Sequence, residues 1–215
     1  MLFRSDWIWL FSDDDMMDSN CVENFYSTLS ATNHFYDLYK FNVRIIKEDN
    51  SIKEMAPIQS GIISSLEFLK MKVSGKIYTY AIDYIFRKST YKAIGFIEFP
   101  LAWCSDDATW AMLAKKTGMF VIPHSLVSWR ISSYNISGDT SKHYKLKQDA
   151  LLAFLEFIKQ QFGLARNIDQ QFFHDQKNYF LGNIDNYKTK MTVPAMISLA
   201  RKLSLIWEDS FFHNL

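Results

Sequence analysis

Few of the usual markers of a reaction are present in this chain. It has two cysteines, Cys21 and Cys104, far apart in 215 residues. They supply neither a disulfide framework nor a metal knuckle, and reduced, buried thiols fit a cytosolic compartment. The five histidines, His34, His124, His143, His174 and His213, show no ligand spacing. A single His such as His124 is ordinarily a hydrogen-bonded side chain. Neither sign of charge is in excess. The net charge is +1 with acids and bases interspersed, so nucleic acid is not an expected partner. No apolar run approaches the roughly 20 residues a spanning helix needs, and no small-residue cleavage site follows Arg4 and Asp6. The reading is a soluble, cytoplasmic chain without repeats or low-complexity tracts.

What is present is apolar and aromatic. Hydrophobic residues make up 48% of the chain, enough for one sizeable core, and the 16% of Phe, Trp and Tyr suggests surface that packs on a partner or a membrane face. The run Trp7-Ile8-Trp9-Leu10-Phe11 ends at Ser12 and gives way to Asp13-Asp14-Asp15. Such a run predicts a strand buried on both faces, and carboxylates cannot follow it into a core. They are therefore expected at the strand's exit, where open α/β sheets bind ligands.

Asn20 with Glu23 reads as a capping box for a helix from Cys21 to Leu29, its apolar face formed by Val22, Phe25, Tyr26 and Leu29. Phe41 to Lys47 alternates as a half-exposed strand, closed by a turn at Asp49-Asn50-Ser51. Ser60 is placed to cap a helix carrying Ile62, Ile63, Leu66 and Leu69 and ending at Gly75. A strand is expected within 76–86, and a short helix over Ser89 to Ile94 stopped by Gly95. Asp106 and Asp107 open a helix over Ala108 to Lys116, and Met119 to Ile122 is a brief strand closed by Pro123. Beyond a Ser/Asn/Gly loop at 132–141, Tyr144–Phe162, Gln170–Leu181 and Val193–Trp207 read as amphipathic helices, with Gly163 and Gly182 as stops.

Three constellations bear on chemistry. Mg²⁺ and Mn²⁺ take oxygen ligands, and Asp13 and Asp15 could present a carboxylate pair to one; the bland alternative is a solvated acidic loop. A carboxylate at Asp106 or Asp107 could take the proton of an attacking hydroxyl, the alternative being a favourable first-turn charge or cap. Arg130 offers a fork suited to phosphate beside Trp129, which could stack on a ring; a surface Arg beside a core Trp is the plainer reading.

In order, these segments resemble the family 2 glycosyltransferases with their GT-A fold. Trp7 to Asp15 looks like the family's DxD motif. Tyr84-Ile85-Phe86-Arg87-Lys88 with Ile94-Gly95-Phe96 resembles the acceptor-side segment. Ser105-Asp106 with Trp110, Leu113 and Ala114 is similar to the Glu-Asp motif and its helix, and Val127-Ser128-Trp129-Arg130 to the aromatic-arginine segment near the end of the catalytic domain. The resemblance implies an α/β fold: a truncated GT-A-like mixed sheet flanked by helices over 1–141, the metal and acceptor half, and a helical extension over 142–215. It further implies an inverting, metal-dependent transfer from a nucleotide-sugar donor to a saccharide or lipid-linked acceptor, as in polysaccharide biosynthesis. Asp13 and Asp15 would hold Mg²⁺ or Mn²⁺, and Asp14, Trp129 and Arg130 would support the donor. Asp106 would be the base, preferred to Asp107 because it brings Trp110, Leu113 and Ala114 into register.

Two departures stand out: Ser105 replaces the family's Glu, and the β-α-β units that normally precede the DxD strand are not seen before Trp7. An incomplete fragment with weak or no transfer activity is therefore expected. The competing expectations are a catalytically inactive sugar-binding or assembly module and, less favoured, a metal-dependent phosphohydrolase. The C-terminal helices could cover the acceptor, form a homodimer or lie on the inner face of a membrane.

Overall fold

The computed structural model of the chain describes residues 5–131, 143–185 and 191–208, so the loop expected over 132–141 lies wholly outside the described residues. The fold divides into two compact units, Met1–Ile97 with Thr109–Gly138, and Glu98–Ala108 with Asp139–Leu215.

The first unit is built on a mixed sheet in the order β1 (Trp7–Trp9), β6 (Tyr84–Arg87), β3 (Leu38–Ile46), β7 (Met119–Arg130), β2 (Met16–Met17). Two short strands attach to this path: β4 (Ile52–Met55) pairs with β3, and β5 (Ile62–Ile63) with β7. The β3–β7 pair is parallel and the others are antiparallel. Helices α1 (Cys21–Ala31), α2 (Ser65–Val73) and α3 (Lys88–Ile94) belong to this unit, while α4 (Ser105–Leu113) starts in the second unit and ends in the first. On one face of β3, Tyr39, Phe41 and Val43 pack with Ile85, Ile122 and Val127 under Cys21, Phe25 and Leu29 of α1. Elsewhere in the core Trp110 stacks on Tyr84 (4.8 Å) and tilts against Phe86 (5.4 Å).

Several sequence expectations are corrected here. β1 is a three-residue edge strand with half-buried residues rather than a run buried on both faces, and Leu10 is 41% exposed. β3, expected half-exposed, is buried along almost its whole length, because it is flanked by β6 and β7. Alternation in its sequence reflects two covered faces, with Lys40 neutralised by Asp83 and Asn42 bonded to Gln59. α1 buries Cys21, Phe25, Thr28 and Leu29, leaving Val22 and Tyr26 outside, and Asn20 makes no side-chain cap. Ser64, not Ser60, caps α2, accepting the Glu67 N–H. β7 runs through Pro123 instead of ending there: three extra residues, Pro123 to Ser125, bulge out between the Ile122 and Leu126 pairings with β3. A proline is tolerated at such a point because no ladder donor is needed. The bulge turns the His124 carbonyl toward α1, where Asn20 and Asn24 donate to it.

The second unit is helical. It contains α5 (Tyr144–Phe162), α6 (Ala165–Ile168), α7 (Gln170–Asp185) and α8 (Val193–Trp207). Gly182 does not stop α7, while Gly163 ends α5 at a φ of 95° that side chains with a Cβ rarely adopt. Phe180 and Phe173 meet the edge of the buried Trp207 ring, and Phe99 from the 98–108 segment meets Phe154 and Phe157 of α5.

Candidate functional site

The three acids occupy a turn between β1 and β2. β2 is only two residues long, pairing Met16 with Ser128 and Met17 with Val127, so it cannot by itself fix the turn. Arg130 does. Its backbone N–H donates to Asp15 Oδ1 at 2.7 Å, its Nε to the Asp14 carbonyl at 2.6 Å, and its terminal nitrogens to the carbonyls of Lys47 and Glu48 and to Asn50 Oδ1. The rigid guanidinium fork is thus filled by protein oxygens from the acidic turn and from the β3–β4 turn. Trp129 beside it stacks on Tyr80 with ring centres 4.3 Å apart. These contacts engage the fork and the indole within the fold.

Two residues that the sequence did not mark as site residues complete the frame. Asp18 accepts the Leu126 N–H and pairs with Arg44, whose Nε donates to Ser128. The acids and the chain that follows them are therefore pinned to β7. Nothing in the local spacing reveals this, since the partners lie 26 to 116 residues away.

Among the described residues the Asp13 and Asp14 side chains accept no hydrogen bond, and Asp13 is exposed. Burial raises the proton affinity of Asp15; the Arg130 N–H opposes this, and the Asp14 and Asp13 charges add to it. The three carboxylates do not converge on one point, and no other group of three His, Cys, Asp or Glu does so among the described residues.

Asp106 and Asp107 lie in the first turn of α4, in the second unit. Ser105 Oγ accepts the Phe99 N–H, and Asp106 Oδ1 accepts the Asp107 N–H. Asp106 is half-buried, whereas Asp107 is 3% exposed and so is the less accessible of the two. Tyr179 of α7 reaches the same turn, its hydroxyl 3.8 Å from Cys104 Sγ. Burial holds its phenol well above the ordinary range, reinforced by Cys104 and by the Asp107 and Asp106 carboxylates. No helix of the described residues is long and apolar enough to cross a membrane.

No protein-family model and no curated protein matches this chain. Its fold is similar to that of S. aureus TarS 1-349 in complex with UDP-GlcNAc, at a TM-score of 0.59 and 11% identity over 95% of this chain and 57% of that one. S. aureus TarS 1-349 without that ligand matches at a TM-score of 0.55 and 10% identity, over 95% of this chain and 56% of that one. The chain thus spans somewhat more than half the length of these structures and shares their fold.

Proposed function

We propose that the chain is the metal- and acceptor-side part of an inverting glycosyltransferase that uses a nucleotide-sugar donor. The observation that carries this reading is the acidic turn held in place by Arg130 within a glycosyltransferase-like fold. A fold alone does not assign a reaction, but an acidic turn clasped to β7 through Asp15, with the Asp13 and Asp14 side chains accepting no hydrogen bond among the described residues, is a feature that packing does not require.

The donor set fits a hard divalent cation. Carboxylate oxygens are hard donors, and Mg²⁺ is usually held by one or two carboxylates, with phosphate oxygens and water completing its shell. Asp13 and Asp15 would hold the ion and Asp14 support them. A bound Mg²⁺ or Mn²⁺ would neutralise charge on a departing diphosphate. The remaining roles fall to side chains of this chain. Arg130 positions the turn through Asp14 and Asp15, and Trp129, backed by Tyr80, walls the region beside it. Asp106 would accept the proton of the acceptor hydroxyl as that oxygen bonds to the anomeric carbon and the bond to the diphosphate breaks, which inverts that centre. Its half-exposed carboxylate supports this choice over the buried Asp107.

Calorimetric titration of Mn²⁺ tests the first half. Binding strengthened by UDP and lost in Asp13→Ala and Asp15→Ala is expected; a chain that binds neither ion nor nucleotide would instead be an inactive sugar-binding or assembly module. For the second half, transfer to an acceptor should be lost in Asp106→Asn and kept in folded Asp107→Asn, and the reverse result would move the base to Asp107.

A further inference from the structure

At the start of β1, away from the acids that follow its other end, the first unit contains a cavity of about 690 Å³. This lies within the range of small-molecule pockets, roughly 300 to 1,000 Å³. Its wall is cationic. Lys88 and Lys92 of α3 line it with His34, and Asp6 is the one carboxylate on the lining. The i, i+4 spacing of the two lysines places both on one face of α3.

The remaining wall is aromatic and rigid. The Trp7 indole is held by the edges of Phe25 and Tyr39, with ring centres 5.5 and 5.4 Å away, and by the Arg87 guanidinium 4.6 Å from its centre. Arg87 in turn donates to Asp37 and to the carbonyls of His34 and Tyr36, which fixes the segment carrying His34. Asp37 is thereby engaged with Arg87 and lies outside the cavity wall. Tyr26 stands at the rim, 55% exposed although it lies on a helix that packs on the core. Hydroxyls of Ser30 and Ser89 complete the lining. Cations to neutralise an anion, hydroxyls to bond it and a fixed ring surface beside them together define a ligand class.

We propose that this cavity binds a phosphorylated sugar, with Lys88, Lys92 and His34 around the phosphate and the Trp7–Tyr26 wall against the sugar ring. It is independent of the metal reading above, since it shares no residue with the acidic turn.

Titrations with glucose 1-phosphate, inorganic phosphate and glucose in the presence of EDTA, followed by calorimetry and by the Trp7 indole N–H resonance, test it. Glucose 1-phosphate should bind saturably and inorganic phosphate more weakly. Lys92→Glu should weaken both by about tenfold, the weight of one charge-assisted hydrogen bond, while Lys92→Arg retains binding. Tyr26→Ala should weaken glucose 1-phosphate alone. Lys92 is exposed and has no partner among the described residues, so its variants should keep the fold, as circular dichroism would verify. The double variant Asp13→Asn/Asp15→Asn should leave this binding unchanged. The proposal is overturned if neither phosphate binds, if binding is indifferent to Lys92→Glu, or if it is lost with the two aspartates. Inorganic phosphate binding as tightly as the sugar phosphate would overturn the sugar component.

Discussion

At the residue scale a costly arrangement is the pair formed by Lys40 and Asp83, 3.1 Å apart with 2% and 0% of their side chains exposed. Burial pushes the Asp83 carboxyl up to about 6, with Lys40 pulling the other way, and Asp83 Oδ1 has no hydrogen-bond partner. Removing one partner leaves a buried charge alone. Lys40→Met or Asp83→Leu should therefore each destabilise by about 3–5 kcal/mol in urea denaturation, while the double variant should come close to wild type or exceed it. The pH dependence has a definite sign. Because the folded proton affinity exceeds that of an unfolded Asp, near 3.9, the native state binds the extra proton between those values. The stability this contributes is fully present below about pH 4 and is lost as pH rises through about 6. The advantage of wild type over Asp83→Asn should shrink across that window and stay flat above it.

At the scale of elements, the turn from α4 into β7 depends on Gly118. Its φ is +78°, and a Cβ there would lie 3.0 Å from the Ile63 carbonyl oxygen and 3.2 Å from Ile62 Cγ2 in β5. Gly118→Ala should cost roughly 2 kcal/mol, read as a lower denaturation midpoint, with the backbone of β5 displaced. The helices were the most legible elements in the sequence. Tyr144–Phe162 and Val193–Trp207 coincide with their predicted bounds, because a helix is specified by neighbours three and four residues apart and by local stops. Strand burial was not legible. Whether Phe41 to Ile46 faces water depends on which strands flank it, and those lie far along the chain. The acids could be located from the sequence, but the clasp of Arg130, the Asp18–Arg44 pair and the Tyr80–Trp129 stack could not, since each joins residues with no sequence relation. β7's passage through Pro123 was missed for a related reason: a bulge is a property of a pair of strands.

At the scale of the molecule, each unit has a core of its own, and cooperativity should follow that division. Leu203 is fully buried in the second unit. Leu203→Ala should cost about 2–5 kcal/mol and lower amide protection in α5, α7 and α8, while β3 and β7 retain theirs. Uniform loss across both units would refute the division. The Arg130 clasp also carries a consequence for the order of assembly. It joins Asp14, Lys47 and Asn50 to a residue 80 or more positions later, and its donors are placed by the parallel pairing of β7 with β3. Non-local pairing of this kind closes late, because loop entropy is lost before contacts repay it. A nascent chain will therefore carry its acidic turn unformed until Arg130 has been synthesised and β7 has docked, which makes the candidate metal-binding turn one of the last parts of the first unit to mature.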